Sequence, residues 1–274
     1  AKCGALAKAQ QVHDESNAQN IISWSTLISG YAEHGLGHLA FSLLREIDMT
    51  GIIIDCVLLL YVLKACGSMG SLNYARCVHH RVTESELHLD MVIGNSLIEM
   101  YVNFWSLEEA CRVFEMMPER DVVSWGSIIS GYSQSSDNES LIEQCLKTMQ
   151  ASGLEPNETI FSSLLNTCSH NRALKAGCHY FALMRDEYNI PQSLEHYSCM
   201  IDLLGRAGDF NRLSNLLKHM ERFGSVKADA TLWLCVLGAC RIHGNHELGT
   251  LAFNKALGLQ PDDPAAYILM SNMM

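Results

Sequence analysis

The sequence predicts an all-α chain, a solenoid of stacked helical hairpins. Three observations predict it: an internal repeat, an apolar stripe at helical spacing inside each repeat, and a regular break between two helices. Related segments open at Trp24 (WSTLISGYA), Leu59 (LYVLKACGS), Gly94 (GNSLIEMYV), Trp125 (WGSIISGYS), Phe161 (FSSLLNTCS), Tyr197 (YSCMIDLLG) and Trp233 (WLCVLGACR), separated by 35, 35, 31, 36, 36 and 36 residues. A period of this kind marks a repeat architecture, in which each unit is one supersecondary element.

The first helix of each unit is read from its spacing. Trp24, Leu27, Ile28 and Tyr31 stand at i, i+3, i+4 and i+7, and so do Trp125, Ile128, Ile129 and Tyr132, and Tyr197, Met200, Ile201 and Leu204. That is one apolar stripe on an amphipathic helix. A polar or glycine-containing break follows, such as EHGLG (33–37) or RAGD (206–209). Second helices are predicted over LAFSLLREI (39–47), LEEACRVFEMM (107–117) and LSNLLKHM (213–220), with stops at Gly51, Pro118, Gly153 with Pro156, and Pro191. Helices about 12 residues long are marginal alone. Stacking the hairpins buries each stripe between neighbours.

Composition agrees. The chain has 274 residues, 48% hydrophobic and 18% charged, which is too apolar for a disordered chain. No apolar run of about 18 residues predicts a membrane span, so no membrane partner is expected. Cys66, Cys77, Cys111, Cys145, Cys168, Cys199 and Cys240 fall in helical stripes, where they are read as small hydrophobes and not as disulfides. The net charge of −11, from 30 acids and 19 bases, argues against a generic polyanion-binding surface. The chain opens on AKCGALAKAQQ without Met and without a signal or transit peptide, which reads as a piece of a longer protein.

Three segments, LEEACRVFEMMPERD (107–121), DVVSWGSIISGYSQ (121–134) and EHYSCMIDLLGRAGD (195–209), closely resemble plant pentatricopeptide repeat proteins of the PLS class. By this resemblance residues 20–54 are a P-type repeat, 55–89 an L-type, 90–120 an S-type and 121–156 a P-type one residue long in its middle loop. Residues 157–192 and 193–228 resemble terminal L- and S-type repeats, and 1–19 the end of a truncated S-type repeat. Residues 229–274 resemble the tetratricopeptide-like E segment that follows such arrays. The resemblance implies a right-handed α-solenoid and sequence-specific binding of single-stranded RNA in a mitochondrion or chloroplast, as a specificity factor for RNA processing, above all C-to-U editing. Neither DNA nor a cofactor is implied.

In the family each repeat reads one base with a few side chains. Carried onto this chain, the first P-type repeat pairs Ser25 with Asp55, and the S-type repeat pairs Asn95 with Asp121. A carboxylate accepts from the imino N–H of guanine or uracil, which adenine and cytosine lack. Ser25/Asp55 is therefore expected to prefer guanine and Asn95/Asp121 uracil. The base-sandwiching position falls on Ile22, Val57, Val92 and Val123. Weaker pairs are Leu60 with Asp90, where leucine offers no hydrogen bond, and Gly126 with Asn157, where glycine offers no side chain. Ser162 with Ser193 and Ser198 with Asp229 are weaker again, because their sandwich positions are Thr159 and Glu195. The same aspartates precede helices and are expected to cap them. The expected read, with the N-terminal repeat toward the 5′ end, is guanine, any base, uracil, then a poorly specified base. The first helices carry almost no basic residues, Lys64 and Arg206 being the exceptions read here, so weak binding is expected.

No catalytic residue is predicted. A zinc deaminase needs H-x-E with a P-C-x-x-C. The chain has no C-x-x-C, and its His13-x-Glu15 stands without a cysteine motif. His243 and His246 are read as flanking a turn, and the adjacent His79 and His80 as pointing apart, so no metal site is expected. The sequons at Asn138 and Asn157 are read as chance matches. Three readings stay open at this point: an RNA-binding specificity factor, a tetratricopeptide-like scaffold whose 229–274 segment recruits an editing deaminase or accessory protein, and the non-catalytic part of a deaminase.

Overall fold

A computed structural model describes residues 2–15, 20–85, 90–134, 138–223 and 226–273, with side chains from residue 6 onward except at 68 and 223. These residues form sixteen α-helices and no strand. The chain divides into two units, residues 1–131 and 132–274.

In the first unit α1 (Lys2–Glu15) is followed by the hairpins α2 (Ile21–Glu33) with α3 (Gly37–Thr50), α4 (Cys56–Met69) with α5 (Leu72–Glu84), and α6 (Met91–Asn103) with α7 (Leu107–Met116), and then by α8 (Val122–Ser133), which runs across the boundary. In the second unit α9 (Glu139–Ala151) is followed by α10 (Glu158–Asn171) with α11 (Leu174–Asp186), α12 (Leu194–Ala207) with α13 (Phe210–Phe223), α14 (Ala230–His243) with α15 (His246–Leu259), and α16 (Pro264–Ser271).

The first helices are the core. Helix α2 packs on α4 and α4 on α6; in the second unit α10 packs on α12 and α12 on α14. The expected stripe is buried: Trp24, Leu27, Ile28 and Tyr31 on α2, and Tyr197, Met200, Ile201 and Leu204 on α12. Tyr132 is only half-buried, so the α8 stripe is shielded less fully than its spacing implies. Between α12 and α14 the backbones come close at Gly205, where an added Cβ would lie 2.6 Å from Ala239 Cβ. Left-handed glycines end helices where the sequence placed breaks, at Gly51 (φ 72°) after α3 and Gly208 (φ 71°) after α12. The extra residue expected in the middle loop of 121–156 falls at 135–137, and the ends of 1–19 and 55–89 at 16–19 and 86–89, outside the described residues.

The cysteines follow burial, with one correction. Cys66, Cys168 and Cys240 are buried, and Cys111, Cys145 and Cys199 half-buried. Desolvation pushes the Cys66 and Cys168 thiols up to about 12 and those of Cys199 and Cys240 up to about 11, so they stay protonated at neutral pH. Cys77 is exposed on α5 and takes no part in the core, because the buried face of that helix is carried by Ala75, Val78 and Val82.

Second helices are tied across repeats by ion pairs. Arg81 of α5 meets Asp48 of α3, Arg76 of α5 meets Glu109 of α7, and Lys255 of α15 meets Glu221 of α13 at 3.0 Å. A hydrogen bond from the Ser106 hydroxyl, together with Arg76, holds the Glu109 carboxyl at about 2. Its folded pKa lies below the ordinary value, so its contribution to stability is complete above about pH 4.5 and is lost as pH falls toward 2. Glu109→Gln is expected to flatten the acid limb of a thermal-stability profile over that window and to lower the neutral-pH midpoint. Ile98, fully buried on α6, is expected to cost about 2–5 kcal/mol on truncation to alanine, measured by urea denaturation.

Candidate nucleic-acid interface

Every first helix from α2 to α14 begins in the same way. A polar N-cap precedes it: Asn20, Asp55, Asp90, Asp121, Asn157, Ser193 and Asp229. The carboxylates and amides work as caps. Leu58 N–H donates to Asp55 Oδ1 (2.8 Å), Ile93 N–H to Asp90 Oδ1 (3.0 Å), Ser124 N–H to Asp121 Oδ1 (2.8 Å), Ile160 N–H to Asn157 Oδ1 (3.1 Å) and Leu232 N–H to Asp229 Oδ1 (2.8 Å). A carboxylate has about four lone-pair sites, so capping leaves room for a further donor.

The second residue of each first helix points to solvent. In the first unit it is apolar and β-branched each time: Ile22 is 72% exposed, Val57 50%, Val92 52% and Val123 59%. Exposed branched aliphatics recurring once per repeat carry a hydration cost that a covering surface would relieve. In the second unit the same position is Thr159, Glu195 and Thr231, all exposed. Polar and acidic side chains there offer no apolar platform.

The fifth residue of the helix lies one turn on, beside the second. The structure treats the sequence-predicted pairs differently. Asn95 and Asp121 are brought together: Asn95 Nδ2 donates to Asp121 Oδ1 at 3.1 Å. Burial alone would raise the Asp121 carboxyl, but the bonds from the Ser124 amide and hydroxyl and from Asn95 outweigh it and hold it below the usual carboxylate range. Ser25 and Asp55 have no such link; the Ser25 hydroxyl donates to Ile21 O within its own helix (2.8 Å) and the side chain is buried. Leu60 is half-buried, while Asp90 accepts from the Cys56 thiol at 3.9 Å. Gly126 is half-buried on α8 and Asn157 exposed ahead of α10, in different units. Ser162 and Ser193 meet through a third residue, His196, whose Nε2 lies 3.1 Å from Ser162 Oγ and whose Nδ1 lies 3.0 Å from Ser193 Oγ. The Ser198 hydroxyl donates to Leu194 O (2.8 Å).

The basic residues of the first helices are Lys64, Arg206 and also Arg241, which the sequence reading missed. All three are exposed, and Arg206 is paired with Asp202 at 2.8 Å.

The histidines are placed by packing. His13 is buried edge-on against Trp24, with ring centroids 4.2 Å apart. His79 and His80 do point apart: His79 meets the Tyr101 hydroxyl at 2.8 Å, and His80 lies toward Glu84. His243 closes α14 and His246 opens α15 on either side of a turn. Among the described residues no three His, Cys, Asp or Glu side chains group as a metal site, and no helix is long and apolar enough to cross a membrane.

Comparison with known proteins follows the same pattern. The chain matches the PPR repeat over residues 22–52, 95–122 and 195–225, and the pentatricopeptide repeat domain over 119–171. Two mitochondrial pentatricopeptide repeat-containing proteins of Arabidopsis thaliana are each 35% identical to it, over 99% and 100% of this chain and 48% and 42% of theirs. A chloroplastic one from the same plant is 33% identical over 99% of this chain and 31% of its own. The chain thus spans less than half the length of these curated relatives. Its fold is similar to that of the pentatricopeptide repeat protein PPR10 solved in complex with an 18-nucleotide psaJ RNA element, with a TM-score of 0.80 at 17% identity, covering 98% of this chain and 40% of that one. With an all-helical repeat, an N-capped first helix in every unit and these matches, the chain belongs to the pentatricopeptide repeat family, in the form found in plants.

Proposed function

We propose that this chain binds single-stranded RNA base by base and serves as a specificity factor for RNA processing in a plant organelle, in particular C-to-U editing. The observation that carries the reading is the exposed aliphatic side chain at Ile22, Val57, Val92 and Val123, each adjoining a polar cap in its own repeat. A flat base covers such a side chain, while the cap and the fifth residue face its edge. The solved RNA complex of PPR10 and the organellar names of the relatives support the reading. The proposal keeps the PLS assignment of the repeats and the guanine and uracil preferences of Ser25/Asp55 and Asn95/Asp121. The aspartate reads the imino N–H. Asparagine in its place can turn its amide to donate to the ring nitrogen of adenine or cytosine instead.

Residues 229–274 hold a second surface. Leu251, Leu259, Tyr267 and Ile268 of α15 and α16 are exposed apolar side chains. This favours the recruitment of a protein partner, an editing deaminase or accessory protein, by that segment.

The binding test uses oligonucleotides carrying guanine and uracil two nucleotides apart, against versions with adenine and cytosine. Wild type is expected to favour the first by about tenfold per position, about 1.4 kcal/mol. Asp55→Asn should reverse the guanine preference and Asp121→Asn the uracil preference. Affinities that ignore both the base swaps and the substitutions would refute base reading by these residues. With so few cations on the first helices, log K is expected to fall with log salt at a slope no steeper than about −2, measured by anisotropy titration. Tight, steeply salt-dependent binding of arbitrary RNA would contradict it.

A further inference from the structure

From α4 to α14 the third residue of each first helix is buried; Ser23 of α2, half-buried and bonded to its own N-cap Asn20, stands outside this set. In most repeats it is buried and apolar: Leu58, Ile93, Ile160 and Leu232. In two it is polar, and both residues, Ser124 on α8 and His196 on α12, are 0% exposed. A polar group in such a place is tolerated only when it is bonded. Both are bonded to the base-reading pair of the repeat before them.

Ser124 Oγ accepts the Asp121 N–H at 3.1 Å. Its hydroxyl lies 2.6 Å from Asn95 Oδ1 and 2.9 Å from Asp121 Oδ1. Its single proton therefore serves chiefly the nearer oxygen, that of Asn95. This fixes the Asn95 amide: Oδ1 faces Ser124, Nδ2 donates to Asp121 Oδ1 at 3.1 Å, and the second N–H of Nδ2 is left for an outside acceptor. The opposite orientation would set two oxygens, Asn95 Oδ1 and Asp121 Oδ1, against each other. We propose that Ser124 is a positioning residue that sets the base preference of Asn95/Asp121 by locking the amide of Asn95, a proposal that rests on the base reading above.

The second unit repeats the device with other chemistry. Ser193 N–H donates to His196 Nδ1 at 3.1 Å, so the ring proton sits on Nε2, directed at Ser162 Oγ (3.1 Å) and Glu158 O (3.2 Å). Ser162 and Ser193 are thereby joined through one buried ring. Where the third residue is leucine, as at Leu58, the two positions stay unlinked, and Ser25 turns back onto its own helix.

The test compares the whole chain as wild type, Ser124→Ala, Ser124→Thr, Asn95→Ala and the Ser124→Ala/Asn95→Ala double variant. Each is titrated with RNA carrying uracil or cytosine opposite the α6 repeat, and thermal melts verify folding. Ser124→Ala is expected to lower the uracil-to-cytosine affinity ratio at least threefold. Ser124→Thr, which keeps the hydroxyl, should stay within twofold of wild type. On the Asn95→Ala background Ser124→Ala should leave the ratio unchanged, because no amide remains to be oriented. A general loss of structure would act on both backgrounds alike, and that result overturns the proposal. So does an unchanged ratio in Ser124→Ala while Asp121→Asn still shifts it, in which case base reading stands without Ser124. If Asp121→Asn also changes nothing, base reading and the positioning role fall together.

Discussion

The first helix of each hairpin can exist only because it is covered on two sides. A helix of 13 or 14 residues gains too little from its own hydrogen bonds to hold in water. Trp24, Leu27 and Ile28 of α2 are buried where α1, α3 and α4 lie against that helix, and α4 in turn packs on α6. The close approach at Gly205 shows the same dependence between α12 and α14, where two backbones nearly touch. Stability is thus held in neighbour contacts, and each repeat fixes the position of the next.

That constraint sets where the polar chemistry can go. Once the stripe is buried, the N-terminal turn of each first helix still presents side chains outward. The orphan amides of that turn call for a cap, and aspartate or asparagine supplies it at Asp55, Asp90, Asp121, Asn157 and Asp229. On the proposed base reading, capping and recognition are carried by the same side chain. One oxygen holds the helix, which orients the remaining lone pairs and removes the rotamer freedom that base contact would otherwise have to freeze. The cap is a source of preorganisation as well as of stability.

Much of this is legible in the sequence because it is local. The spacing of Trp24, Leu27, Ile28 and Tyr31 is a property of one helix, and an aspartate before an apolar run is a cap wherever it stands. The exposed second residue follows from the same periodicity. What could not be read is set by partners far along the chain. Ser124 meets Asn95, 29 residues earlier, and His196 meets Ser162, 34 residues earlier. The signal available was the third-position column itself, where Ser124 and His196 interrupt a run of Leu58, Ile93, Ile160 and Leu232. Ser25 illustrates the reverse case. Its pairing with Asp55 is implied by register, but a serine in a helix has a carbonyl one turn back always within reach, and Ser25 uses it. Cys77 was misplaced for a related reason, since the buried arc of α5 is narrow and Val78 already fills it.

The net charge of −11 acquires a different meaning in this setting. Phosphate contact supplies sequence-independent affinity, and a chain with three basic residues on its first helices, one of them held by Asp202, has little of it to give. On the proposed base reading, the seven polar caps at helix N-termini add acceptors for base N–H groups, and the four that are aspartates add negative charge where a backbone would otherwise be drawn in. A nucleotide that fails to satisfy its cap, on that same reading, leaves a desolvated acceptor without compensation from the phosphate. The low non-specific affinity expected of this surface would raise the weight of each correct base: on the proposed reading, discrimination comes from what is left unpaired with the wrong sequence, and an acidic scaffold makes that penalty harder to escape.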